Sequence, residues 1–192
     1  MTYYEGILVA NGSSINAAAI GAEIDEGSIG SQVYKPSDTA RKLKDGSRFT
    51  FSLTDKPELF YKVALAGHDR PQRSELSKDD LVKDGGFFYP KDATRIYFCE
   101  VKRTRTIKEK DEYGDTEIKL VEGEVLEKRG DGDHIGREEP LVDAMVYATR
   151  MYVADEEQKK SIKEKVEDVL AENDSNLKKK ILDFVEGKID EI

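Results

Sequence analysis

Three segments decide the fold: Ser14-Ile15-Asn16-Ala17-Ala18-Ala19-Ile20-Gly21, Lys35-Pro36-Ser37-Asp38-Thr39 and Arg48-Phe49-Thr50-Phe51-Ser52-Leu53. The first falls in a strand over 15–24 built mostly of small side chains. Alanines leave backbone groups within reach of a flat aromatic ligand, and the Asn16 amide both donates and accepts. The same alanines equally suit a strand packed closely against a neighbouring strand or helix. The second segment sits where a strand ends and a helix begins, so unpaired backbone N–H groups and the helix dipole favour an anion there. Ser37 and Thr39 add hydroxyls, Lys35 adds a charge, and Arg41 follows in the first turn. Ser37 is equally well read as an ordinary N-cap and Asp38 as an acidic residue suited to the dipole. The third segment alternates polar and apolar residues as a half-buried strand does.

Working outward, further strands are expected at 4–10 and 28–34, with turns at Asn11-Gly12-Ser13-Ser14 and Asp25-Glu26-Gly27-Ser28. A short helix should run from Ala40 to Asp45 and stop at Gly46, and a second should begin at Pro57, with Leu59, Phe60, Val63 and Ala64 on one face. Residues 67–93 form a long connection with a weak helical pattern at 76–83. Its His68, Asp69 and Arg70 either face a substrate or decorate a surface loop. Thr94 to Lys108 and Glu117 to Lys128 should pair as a long hairpin across Tyr113-Gly114-Asp115. After Gly130-Asp131-Gly132-Asp133 the apolar period changes from two to about 3.6 residues. Pro140 to Val153 reads as a helix buried on most sides and docked on the strands. Helices at 156–172 and 176–190 follow. The chain therefore divides into a β domain over 1–127 and a helical domain over 128–192, mainly β with an α+β character.

Composition narrows the function. The 192 residues carry 31 Lys and Arg against 40 Asp and Glu, a net charge of −9 that disfavours nucleic acid and anionic membrane surfaces. The chain has one cysteine, Cys99, so no intrachain disulfide forms, and a strand setting suggests a buried small hydrophobe. No basic leader followed by an apolar stretch and no membrane span is seen, so a cytoplasmic protein is expected. Two histidines, 68 and 134, lack any metal-ligand spacing, and 130–133 lacks the calcium-loop pattern. Nucleophile elbows, dinucleotide fingerprints and phosphate loops are absent. The basic run from Lys102 to Lys110 alternates across both faces of the hairpin and reads as a solvated surface.

Taken together, the three opening segments resemble the FMN-binding split-barrel superfamily, which includes flavin reductases. The run from Asn16 to Leu65, with Glu139-Pro140-Leu141-Val142-Asp143-Ala144 and Ala148-Thr149-Arg150, looks like the archaeal family called domain of unknown function 447. The resemblance implies a homodimeric split β-barrel with a C-terminal helical domain that binds flavin mononucleotide (FMN) without a covalent bond. It implies that Asn16, Ala17 and Ala18 border the isoalloxazine ring and that Lys35, Ser37, Asp38 and Thr39 hold the phosphate. Ser52 and Thr54 are further polar contacts. Ala19 stands where the family often has proline. The expected function is an oxidoreductase with an unassigned small-molecule redox partner. The alternative is a flavin-binding or dimeric interaction module without turnover.

Overall fold

The computed structural model describes residues 1–11, 14–66, 76–111 and 114–190. His68, Asp69 and Arg70 lie outside them, as do parts of the 11–14 and 113–115 turns. In chain order the elements are β1 (Thr2–Ala10), β2 (Asn16–Asp25), β3 (Ser28–Tyr34), α1 (Asp38–Lys42), β4 (Arg48–Leu53), α2 (Pro57–Ala64), β5 (Leu81–Asp84), β6 (Phe87–Pro90), β7 (Arg95–Asp111), β8 (Gly114–Arg129), α3 (Pro140–Ala148), α4 (Glu156–Val169) and α5 (Asn176–Asp190). Among the described residues no helix is long and apolar enough to cross a membrane.

Six strands close an antiparallel barrel in the order β1-β2-β3-β8-β7-β4. Successive side chains of a strand point to opposite faces, and the register sorts them into rows. Ala18, Leu8, Phe51 and Tyr97 form one inward row, and Asn16, Ala10, Phe49 and Cys99 another. Leu8, Phe49, Phe51, Tyr97 and Cys99 all belong to the barrel core. Burial pushes the Cys99 thiol far above its usual pKa, leaving it a neutral packing group as its strand pattern suggested.

The outward rows are Ala19-Ile7-Ser52-Ile96 and Ala17-Val9-Thr50-Phe98. Ile7, Val9 and Ala17 share one core with Leu59 and Phe60 of α2, Leu141 and Met145 of α3, Ile162 of α4 and Ile181 of α5. The helical tail thus joins the apolar core on the outer face of the barrel, with α3 packed against α2, which lies on β1 and β2. The connection is tied down before α3 begins: Thr94 donates through Oγ1 to the Asp133 carbonyl at 2.6 Å, and Ile135 donates its N–H to the Thr54 carbonyl at 3.0 Å.

The weak helical pattern at 76–83 is not a helix. Lys78–Asp80 make a single 3-10 turn, and Leu81–Asp84 pair with Phe87–Pro90 as a separate hairpin, β5-β6, laid against β4. Ser77 and Asp80 form a capping box, a helix-start device that here closes only one turn. The two-residue Gly85-Gly86 turn then favours a hairpin, both residues having positive φ.

Candidate functional site

The barrel is closed only at one end of the β2–β3 seam. β3 pairs with β2 from Ala22 to Asp25 and then diverges to pair with β8 along its whole length. Residues 16–21 of β2 therefore have β1 on one side and no strand on the other among the described residues. Gly21 marks the direction of this open edge, because its carbonyl accepts from Ser31 Oγ on β3 at 2.9 Å. In a strand, residues two apart direct their N–H and C=O groups to the same side, so Ala19 and Ala17 present theirs to the open edge as well. An edge of small residues with unladdered donors and acceptors is a template for a partner that brings complementary groups.

α1 lies across the seam. Ser37 caps it, accepting from the Ala40 N–H at 3.1 Å and donating to the Tyr34 carbonyl at 2.6 Å. Asn16 reaches from β2 to donate to Thr39 Oγ1 at 2.7 Å, and Lys42 returns the connection by donating to Ser14 Oγ at 2.6 Å. These cross-links fix the width of the slit between the β2 edge and α1. Ala40 and Leu43 enter the barrel core beneath it, so α1 is a lid on the barrel as well as one wall of the slit.

Positive charge gathers at this end in a chain that is acidic overall. Lys35 is salt-bridged to Glu117 at 2.8 Å, Arg41 pairs with Asp38 and donates to the Pro36 carbonyl at 2.8 Å, and Lys119 donates to the Ala40 and Leu43 carbonyls at 2.6 and 2.9 Å. Burial, and after it the neighbouring Arg41, holds Lys42 below the usual lysine pKa. Lys119 is lowered too, by burial first and then by Lys44.

Of the sequence candidates, Asn16, Lys35, Ser37, Asp38 and Thr39 converge around the slit. Ala18 lies half-buried on the inner face of β2, and the Ala17 side chain is buried on the outer face, leaving its backbone as the contact surface. Ser52 and Thr54 are placed apart from these. Ser52 is two strands away from Ala19 on the outer face, and both hydroxyl residues are fully buried. Thr54 Oγ1 donates to the Asp92 carbonyl at 2.9 Å and accepts from the Lys56 N–H at 3.1 Å, while Ser52 Oγ has no hydrogen-bond partner among the described residues.

Two further residues join the neighbourhood. Tyr3, on β1, lies over Gly21 so closely that a Cβ there would meet the phenol oxygen at 1.9 Å, and its hydroxyl donates to Glu5 at 2.9 Å. Arg150, on the turn after α3, contacts the Tyr34 hydroxyl at the end of β3. Neither was legible as a site residue, since nothing in local spacing joins Arg150 to a strand end 116 positions earlier.

A six-stranded antiparallel barrel with one seam parted beside a short helix, and a helical tail on its outer face, is a split β-barrel. The chain belongs to the DUF447 family: the family's N-terminal domain, described as a protein of unknown function, matches residues 4–127. No curated protein sequence matches the chain. Among solved structures it is similar to an FMN-bound DUF447 protein of Methanosarcina mazei, with 18% identity and a TM-score of 0.67 over 96% of this chain and 93% of that one. It is also similar to the NADH:FAD oxidoreductase SgcE6 of Streptomyces globisporus, with 14% identity and a TM-score of 0.55 over 70% and 80% of the two chains. Nitrilotriacetate monooxygenase component B of Bacillus cereus gives 15% identity and a TM-score of 0.55 over 73% and 78%. The likeness to the Methanosarcina protein takes in the helical tail as well as the barrel.

Proposed function

We propose that this protein binds FMN non-covalently in the slit between the β2 edge and α1 and acts as a flavin-dependent oxidoreductase on a small-molecule redox partner. The observation that carries the reading is the open β2 edge over Asn16–Gly21. A flavin pyrimidine ring offers an alternating set of acceptors and one N–H donor along one edge, which suits a strand's backbone groups provided the side chains are small. The residues present fit that group. Ala17 and Ala19 supply backbone contacts, Asn16 and Ala18 border the ring, and the 35–39 turn with Lys35, Ser37, Asp38 and Thr39 takes the phosphate. Ser52 and Thr54, buried two strands away, stand outside this contact set. When bound, the flavin supplies the hydride chemistry, and the chain supplies binding and orientation. Holding one face of the ring against β2 leaves the other for a partner to approach.

The FMN-bound relative and the likeness of the fold to an NADH:FAD oxidoreductase support this reading. With it go a homodimer, a cytoplasmic location and a division into a barrel domain at 1–127 and a helical domain at 128–192. The protein purified without added flavin, then incubated with FMN and desalted, should retain a yellow chromophore absorbing near about 450 nm. A colourless product would overturn the reading. Anaerobic mixing of the loaded protein with NADH and NADPH should bleach that band. Retention of the oxidised spectrum with both nicotinamides and with a reduced deazaflavin would reduce the function to binding without turnover. Light scattering checks the dimer, and a species of 21.6 kDa would overturn it.

A further inference from the structure

We propose that a second copy of this chain docks face to face on the outer face of β7 and β8 beyond Val101; this rests on the dimer of the reading above and names its interface. The outward side chains of β1 and β2 share a core with the helices, and the β5-β6 hairpin lies against β4. Past the bulge between Val101 and Arg103, the register sets Arg103 opposite Glu122, Arg105 opposite Leu120 and Ile107 opposite Ile118. These side chains share the outer face, because Val121, between Leu120 and Glu122, points into the barrel core. Ile118 is buried, Ile107 and Leu120 are half-buried, and Arg103, Arg105 and Glu122 are exposed. Arg103 and Glu122 stand opposite each other in the ladder, yet neither makes an ion pair or hydrogen bond among the described residues. Lys102 beside them holds Glu100 and Glu124 at 2.9 and 2.8 Å.

Charge on this face is ordered by strand: β7 contributes the two arginines and β8 the glutamate. A partner of one sign would meet one strand with attraction and the other with repulsion. A second copy related by a two-fold axis meets both favourably, since each surface is then presented to itself in reverse. Sheets packed face to face keep their strands within about 30° of each other. An axis parallel to the strands and between β7 and β8 therefore lays β7 of one copy over β8 of the other, level by level. Arg103 of each copy meets Glu122 of the other, Ile107 meets Ile118, and the aliphatic stem of Arg105 covers Leu120. Two ion pairs that the chain leaves unmade within itself are made between copies, beside apolar contacts that also form twice.

Light scattering of the full chain should give twice the chain mass of 21.6 kDa. Arg103→Glu sets acid against acid across the interface and Glu122→Arg sets base against base, so each should raise the dimer dissociation constant about 10-fold or more. Mixed in equal amounts, the two variants should return to the wild-type mass, because the acidic pair of one then faces the basic pair of the other. Within each variant chain the hairpin still carries like charges opposite one another, so recovery on mixing cannot come from the hairpin itself. Leu120→Lys leaves Arg103 and Glu122 in place and should also yield monomers; it carries the comparison if a charge variant does not fold. Variants that keep the wild-type dimer, or a mixture that stays monomeric, would overturn the interface while leaving the dimer intact. A monomeric wild-type protein would overturn both, with flavin binding unaffected.

Discussion

Thr50, Ser52 and Thr54 are three fully buried hydroxyl residues on or just beyond one strand, and the structure assigns their replacements opposite signs. Thr50 Oγ1 donates to the Phe88 carbonyl at 2.7 Å, pinning β6 to β4, and Thr54 Oγ1 has two backbone partners. Ser52 Oγ has none. A buried hydroxyl without a partner costs about 1–3 kcal/mol in lost hydration. Removing it in Ser52→Ala forfeits only a few dispersion contacts of about 0.1–0.2 kcal/mol each. The net expectation is a gain of about 1 kcal/mol, or roughly 2–4 °C in Tm for a chain of this size. Thr50→Val keeps the shape but leaves the Phe88 carbonyl unpaired, for a loss of about 1–3 kcal/mol. Thr54→Val strands a donor and an acceptor together and should lose at least as much. Equilibrium urea unfolding of the flavin-free protein, with the slopes compared to exclude changes in the unfolded state, measures all three. A Ser52→Ala variant destabilised as strongly as the two threonine variants would refute the reasoning. An accompanying loss of flavin affinity would return Ser52 to the cofactor contacts.

Two other perturbations probe the frame around the slit. In Gly6→Ala the new methyl would stand 2.6 Å from Phe51 Cζ and 2.8 Å from the Ser52 carbonyl oxygen, which is held in the sheet; overpacking of about 1–3 kcal/mol should follow, read as a lower urea midpoint at constant slope. The Tyr3 phenol, pushed up to about 12 by its partial burial and then by the Glu5 carboxylate, should titrate with its midpoint there in an ultraviolet pH scan, and Glu5→Gln should bring the midpoint down toward 10. Because the folded pKa is the higher one, the unfolded chain ionises first, so Tyr3's contribution to stability is complete below pH 10 and declines as pH rises toward about 12. A midpoint unmoved by Glu5→Gln would show that the carboxylate plays no part.

Much of the barrel could be read from residues alone because its signals are local. Period-two alternation at 48–53 put Phe49, Phe51 and Leu53 inside, and the change of period after 130 announced the helices. Ser37 was legible as a cap, and the structure shows it capping α1. The β5-β6 hairpin escapes the weak helical pattern at 76–83: helical structure there stops after the single turn closed by Ser77 and Asp80, and Gly85-Gly86 turns the chain into the hairpin. Lys35 carries the charge that a phosphate calls for, but no spacing rule foretells that Glu117 on β8 binds it at 2.8 Å.

The sequence by itself determined the strands of the barrel, the inward side chains of β4, the cap at Ser37, and that one strand would be lined with alanine. Local sterics and hydrophobic periodicity act within a few residues, so a linear reading captures them. Only the tertiary structure decided that β3 would part from β2 after Ala22, leaving 16–21 as an open edge, and that Arg150 would arrive beside Tyr34. Those outcomes depend on how six strands close into a barrel and on how the helical tail packs against α2 over its outer face. They are set by register and packing between segments far apart in the chain, and no single segment carries them.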